Sequence, residues 1–276
     1  MITPIPTITL NNGIEMPQVG FGVFQVPNEE TTAAVSSALK AGYRSIDTAA
    51  IYGNEEGVGK ALAESGIARD ELFITSKVWI ADMGYEQTLE AFEASLRRLG
   101  LDYLDLFLIH WPAPEKELYV ETWKALEKLY SENKVRAIGV SNFQPDHLDK
   151  LIAEGTIVPA VNQVELHPTL QNREVIAANG QHEIATEAWS PLAQGALLAD
   201  ETILAIAKSH QVTAAQVILR WHLQQGRVVI PKSVTPSRIA ANLDLFGFEL
   251  SVAELASIDA LDSEGRTGPH PETFNG

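Results

Sequence analysis

An aspartate, a tyrosine, a lysine and a histidine stand where their side chains could act on one reacting atom. Asp47 closes the strand-like segment Tyr43–Ile46, and Tyr52 follows in a turn marked by Gly53-Asn54. Lys77 follows the segment Leu72–Ser76, and His110 follows the apolar run Leu104–Ile109. A phenol is a weak acid with an ordinary pKa of about 10. A nearby ammonium favours phenolate and lowers that value. An aspartate keeps the ammonium charged and in place, and an imidazole can donate a hydrogen bond to a carbonyl oxygen. Together the four form a general acid able to protonate an oxyanion as it develops, which is what a carbonyl needs while accepting hydride at carbon. Each residue also has a plainer reading alone: Asp47 as a turn cap, Lys77 as a surface charge, His110 as a core histidine, Tyr52 as turn packing.

The elements around them decide between these readings. Asn11-Asn12-Gly13 lies between Thr7–Leu10 and Ile14–Met16, a hairpin signal. Strand and helix patterns then alternate. Strands are predicted at Val19–Val23, Tyr43–Ile46, Leu72–Ser76, Leu104–Ile109, Val135–Val140, Ala160–Leu166, Ile184–Trp189 and Val228–Ile230. Helices are predicted at Glu29–Lys40, Glu55–Glu64, Tyr85–Leu99, Leu118–Ser131, Pro145–Ala153, Arg173–Ala178, Glu201–Ser209, Ala214–Gln225, Pro236–Leu245 and Ala253–Leu261. Near-continuous apolar strands imply a parallel sheet buried on both faces. Eight strand–helix units are the count that closes a (β/α)8 TIM barrel, an α/β fold in which strand carboxyl ends converge on the active-site face. A doubly wound open sheet is the second choice. With no long linker or low-complexity stretch, 1–276 reads as a single domain.

Bulk properties narrow the function. The chain has 276 residues, 20 basic and 36 acidic, for a formal charge of −16. That balance opposes nucleic-acid binding, which needs a positive footprint. There is no apolar run long enough for a membrane span and no signal peptide in Met1–Thr7, so the expected location is the cytoplasm. Cysteine is absent, which removes thiolate chemistry and Cys-bound zinc. Gly20-Phe-Gly22 is followed by Gln25, so the Rossmann glycine pattern fails. Gly59-Lys60-Ala61 lacks the Ser/Thr of a P-loop, and His182-Glu183 has no second histidine at 186. No serine-hydrolase elbow is present, and no metal site is expected.

Three long stretches carry a family resemblance. These are 42–59, Lys134–Phe143 and Ile230–Phe246. They resemble, in order, the three signature regions of the aldo-keto reductases, and the likeness covers nearly the whole chain. Ala50–Gly59 and Glu187–Gly195 especially resemble the bacterial 2,5-diketo-D-gluconate reductase branch. The resemblance implies a barrel with an N-terminal β-hairpin plug and a C-terminal loop, here 266–274, over the pocket. It implies NADPH as cofactor, with NADH weaker, bound without a Rossmann domain. Tyr52 would be the proton donor, tuned by Lys77 and Asp47, with His110 orienting the carbonyl.

By the same resemblance Ser141, Asn142 and Gln163 would bind the carboxamide, and Trp189 would stack on the nicotinamide. Ser190, Leu192, Gln194 and Gly195 would run along the pyrophosphate. Lys232, Ser233, Val234 and Arg238 would take the 2′-phosphate region, and Asn242 the adenine. Ala241 departs from the Glu or Gln of many members, which removes one adenine contact and weakens the basis for NADPH over NADH. Phe24, Trp79 and Trp111 would wall the substrate pocket, while Trp123 and Trp221 read as core and His167-Pro168 as structural. The expected molecule is a monomeric reductase of small carbonyl compounds. A nicotinamide-binding regulatory or structural barrel is the alternative. A Schiff-base enzyme using Lys77 ranks lower, because a paired Asp47 would hold the lysine charged.

Overall fold

The computed structural model describes residues 5–276, so the start of Met1–Thr7 lies outside the described residues. A short antiparallel hairpin, β1 (Thr7–Thr9) and β2 (Glu15–Pro17), opens the chain. Then come β3 (Phe21–Gly22), α1 (Asn28–Ala41), β4 (Ser45–Asp47), α2 (Glu55–Glu64), β5 (Phe73–Val78), α3 (Tyr85–Leu99), β6 (Leu104–Ile109) and α4 (Tyr119–Ser131). The second half holds β7 (Val135–Ser141), α5 (Pro145–Glu154), β8 (Val161–Glu165), α6 (Arg173–Gln181), β9 (Ala185–Trp189), α7 (Glu201–His210), α8 (Ala214–Gln224), β10 (Val228–Val229), α9 (Pro236–Ala241) and α10 (Val252–Asp259). Strands β3 to β10 form one eight-stranded parallel sheet in sequence order. The sheet curls until its ends meet. Gly20 N donates to Val229 O at 2.8 Å, and Val229 N to Gln18 O at 3.1 Å.

Most boundaries shift by one to three residues from the sequence-based expectation, Asp47 among them as the last residue of β4, and three shifts are instructive. The first parallel strand is short, because Val19 and Gly20 are tied to Val229 across the seam outside the regular ladder. Strand β5 runs on through Lys77 to Val78, so the lysine is a strand residue, opposite Leu108 of β6. Helix α9 stops at Ala241, before the expected Leu245.

The hairpin packs on the amino ends of the strands. Leu10 and Met16 are buried with Phe73, Leu106, Ala137, Val161 and Val228. Asn11 Nδ2 donates to Pro159 O and Asn12 Nδ2 to Arg136 O, both at 2.9 Å. On the outer layer the indoles of Trp123 and Trp221 are fully buried, and each N–H finds an acceptor, at Ile157 O and Asp259 Oδ1. No helix among the described residues is long and apolar enough to cross a membrane.

The helix layer is close-packed at Gly59 of α2, where a Cβ would stand 2.3 Å from Leu99 O. Gly180, exposed in α6, has open space around it and an ordinary helical backbone. Gly59→Ala should therefore destabilise by about 1–3 kcal/mol, since packed backbone must move. Gly180→Ala should stabilise by about 0.5–1 kcal/mol. Urea unfolding followed by circular dichroism checks both signs.

Candidate active site

The four residues named first come together at the carboxyl ends of β4, β5 and β6. Lys77 is fully buried. Its Nζ donates to Asp47 Oδ1 at 2.6 Å and to Thr48 O at 3.0 Å. Tyr52 ends a short 3-10 turn, Ala50–Tyr52, and lies with its ring centroid 5.2 Å from Nζ. Its Oη is 3.5 Å from His110 Nε2. The loop that carries Tyr52 is held by Asn54, a buried side chain. Asn54 Nδ2 donates to Val23 O and Val26 O, while its Oδ1 accepts from Thr48 Oγ1 at 2.8 Å.

From the sequence, Asn54 is only a turn marker, and Glu187 only the first residue of a resembling stretch, with no role of its own. Glu187 is buried on β9. Gln163 Nε2 donates both to Asp47 Oδ2, at 2.9 Å, and to Glu187 Oε2, at 2.8 Å. An acidic residue in a strand buried on both faces was the signal available.

The electrostatics correct one expectation. Burial pushes the Tyr52 phenol up to about 12, and the pull of Lys77 in the other direction is smaller. Taking a phenolate out of water is the dominant cost, and the negative charge of Asp47 adds to it. Tyr52 therefore holds its proton across the neutral range. Burial works against the Lys77 ammonium, but Asp47 and Tyr52 more than offset it, and its pKa is raised. His110 is held well below the ordinary histidine value by burial and then by Lys77. Its imidazole is neutral at pH 7. The buried Nδ1 has no partner, so a proton on Nε2 is the tautomer that gives the ring a use, toward Tyr52 and the open site. Burial, and then the charge of Asp47, push Glu187 up to about 8.

Ser141, Asn142, Gln163 and Trp189 form a contiguous cluster beside this group. Ser141 Oγ donates to Gln163 O at 2.8 Å. Asn142 takes a left-handed backbone, φ 66°, and its Nδ2 donates to His110 O at 3.0 Å. Half-buried Trp189 donates from Nε1 to Asn142 Oδ1 at 2.8 Å. The chain then turns through Ser190, Leu192, Gln194 and Gly195 with positive φ at Ser190, Ala193, Gln194 and Gly195. Three of those four are not glycine, a conformation that costs about 1–3 kcal/mol each. Lys232 and Arg238 are exposed beyond β10, and neither meets a carboxylate among the described residues. Ser233 Oγ accepts from Thr235 N, Val234 is half exposed, and Asn242 is buried.

Aromatic rings flank Tyr52, His110 and Trp189. Phe24 lies 5.0 Å from Tyr52, Trp79 lies 5.1 Å from His110, and Trp111 lies 6.4 Å from Trp189, centroid to centroid. The C-terminal segment crosses this wall. The Phe274 ring packs at a tilt, 4.6 Å from Trp111 and 6.3 Å from Trp79. The segment is tied down by Glu165, whose carboxylate accepts from Thr267 N and Oγ1, both at 2.6 Å, and from Gly268 N at 3.1 Å. Burial works to raise the Glu165 pKa, but the bonds from His167 and Thr267 hold it below the ordinary value. The Glu165–His167 contact, 3.1 Å, also gives His167 its place.

Comparison with known proteins meets this geometry. The model of the aldo/keto reductase family matches residues 18–263. A glyoxal reductase of Bacillus subtilis is 58% identical over 267 residues, 96% of each chain. Methylglyoxal reductase DkgA of Yersinia pestis is 53% identical over 275 residues, 99% of each chain. The crystal structure of a Bombyx mori aldo-keto reductase in complex with NADP superposes with a TM-score of 0.90 at 35% identity, covering 96% of this chain and 95% of that one.

Removing one partner of the buried ion pair should be costly. Asp47→Leu leaves the Lys77 ammonium without its counter-charge and should lose about 3–5 kcal/mol. The double variant Asp47→Leu/Lys77→Met should recover most of that. Chemical denaturation of the two variants beside the parent chain measures the difference.

Proposed function

The chain belongs to the aldo/keto reductase family of oxidoreductases, and on that premise we propose that it is an NADPH-dependent reductase of small aldehydes, ketones and dicarbonyls, with Tyr52 as general acid. One observation carries the reading. A protonated phenol and a neutral imidazole converge to 3.5 Å over a buried Lys–Asp pair, so two hydrogen-bond donors can meet one carbonyl oxygen. Tyr52 Oη transfers its proton to that oxygen as negative charge develops on it. His110 Nε2–H holds the same oxygen in place. The phenolate left behind is stabilised by Lys77 until solvent restores the proton, and Asp47 keeps Lys77 charged and aimed.

The residues present fit a nicotinamide cofactor. Ser141, Asn142 and Gln163 supply donors and acceptors suited to a carboxamide, and Trp189 offers a half-buried indole beside them. Ser190, Leu192, Gln194 and Gly195 would follow the pyrophosphate, and Asn242 would meet the adenine. Lys232 and Arg238, exposed cations without acidic partners in a chain of charge −16, suit a 2′-phosphate, with Ser233 and Val234 between them. When bound, the cofactor supplies hydride to the carbonyl carbon. NADH is a weaker second cofactor, by a margin that Ala241 beside Asn242 narrows.

The ends of the sheet bonded to each other support a closed (β/α)8 barrel over one domain, plugged at its amino end by the hairpin. Phe274 and the Glu165 bonds support the C-terminal segment as the loop over the pocket. Phe24, Trp79 and Trp111 are then substrate walls. The two bacterial relatives act, by name, on glyoxal and methylglyoxal, which favours α-dicarbonyl substrates here. The resemblance to 2,5-diketo-D-gluconate reductases makes keto-sugars the next class to assay. A cytoplasmic monomer completes the reading.

Methylglyoxal with NADPH is the first assay, read by loss of NADPH absorbance. Tyr52→Phe should lower kcat by about 10²–10⁴. NADPH bound tightly by the wild type, with no turnover over a panel of carbonyls, would favour a regulatory barrel instead. Arg238→Ala should raise KM for NADPH about tenfold, the worth of a charge-assisted bond, and leave KM for NADH unmoved. Because the His110 pKa lies well below its ordinary value, kcat/KM should show no break at the usual imidazole pKa of about 6.5. A pH profile that bends there would place His110 in a different environment.

A further inference from the structure

Gln163 sits in the sheet between Ser141 of β7 and Glu187 of β9, each its direct partner in register. Partners so placed project to the same face of the sheet. A primary amide nitrogen carries two hydrogens. In Gln163 one goes to Asp47 Oδ2 and the other to Glu187 Oε2, at 2.9 and 2.8 Å. All three side chains are buried, so neither bond competes with water. Nε2 has no hydrogen left for a ligand. The amide can meet the site only through Oε1, as an acceptor.

We propose that Glu187 is a positioning residue of the reductase site, which locks the Gln163 amide so that Oε1 is presented to an N–H donor on the ligand. This rests on the reading of Gln163 as a carboxamide contact. Asp47 alone does not fix the amide. Without Glu187 one hydrogen of Nε2 is unplaced, and the amide can swing about its single bond to Asp47, which turns Oε1 aside and offers the free hydrogen to the ligand side. Held at both hydrogens, the amide keeps Oε1 in one direction, and turning it over would point Oε1 at the Asp47 carboxylate, which is repulsive. The lock therefore discriminates: a cofactor whose ring carries a carboxamide N–H is matched, and one carrying only a carbonyl is not.

The test compares binding of NADP+ with that of its 3-acetylpyridine analogue, in which a methyl replaces the amide nitrogen. Quenching of tryptophan fluorescence reads both affinities without turnover. The wild type should prefer NADP+ by about tenfold, one buried acceptor left unpaired in the analogue complex. Glu187→Leu removes the acceptor and should reduce the preference to below about threefold. Glu187→Gln can still accept from Nε2 and should keep most of it, a rescue that general loosening of β9 would not give. Gln163→Leu removes Oε1 itself and should collapse the preference to the same low value, which keeps the test in force if Glu187→Leu does not fold. A wild-type preference that persists in Glu187→Leu or in Gln163→Leu overturns the proposal, and so does a wild type that binds both forms equally. A wild type that binds no NADP+ and reduces no methylglyoxal removes the functional reading together with this one. A wild type that does both, with variants of unchanged preference, removes this one alone.

Discussion

A lysine ammonium held away from water is the constraint to which the site is fitted. Desolvating such a charge costs several kcal/mol even after the surroundings relax. Asp47 and the Thr48 carbonyl take two of the three hydrogens of Nζ. The third is uncommitted, and Tyr52 is the polar side chain whose ring lies over the ammonium. An apolar pair of the same volume would often be as stable or more so, so stability alone does not explain the arrangement. It does explain why β4 and β5 must be neighbours, why Asn54 pins the Tyr52 loop, and why Gln163 closes the second oxygen of Asp47.

Three carboxyl groups at this end of the sheet illustrate how environment divides one chemistry. Asp47 faces an ammonium. Glu165 collects donors from His167, Thr267 and Gly268 and is held below its ordinary pKa, so it anchors the C-terminal segment as an anion. Glu187 has one amide donor and an anionic neighbour, and it is pushed the other way. Residue type alone does not separate these roles. The number of N–H and O–H groups delivered to each carboxyl does.

That distinction also marks what could be read from the sequence. Alternation of apolar runs with helical patterns placed nearly every element, because burial on both faces leaves a strong signature in strands such as Leu104–Ile109. Asp47, Tyr52, Lys77 and His110 were legible because each stands at or near the carboxyl end of such a run. Lys77 was nevertheless put beyond its strand. A lysine looks like the end of a buried run until its counter-charge on the neighbouring strand is known. Lys77 does pull the Tyr52 phenol down, as its place at a strand end implies, but burial outweighs that pull, and burial is not legible in spacing. The role of Glu187 escaped notice because its partner, Gln163, is brought to it by strand register and not by spacing along the chain. The contacts of Thr267 and Phe274 were invisible in a polar, glycine- and proline-rich tail, where no periodicity betrays what it touches.

Gly268 shows what such a tail is bound to. A Cβ on this residue would lie 2.5 Å from Cη2 of Trp189 and 3.3 Å from Glu165 Oε2. The tail thus rests directly on the indole whose N–H reaches Asn142. Beyond this point the tail touches the barrel chiefly through Phe274, on Trp111 and Trp79. At 268 the contact is closer, because any larger side chain shifts the ring that is bonded to Asn142. A side chain at 268 is therefore felt at Trp189 and, through its N–H, at Asn142, so the tail and that cluster cannot vary independently at this one position.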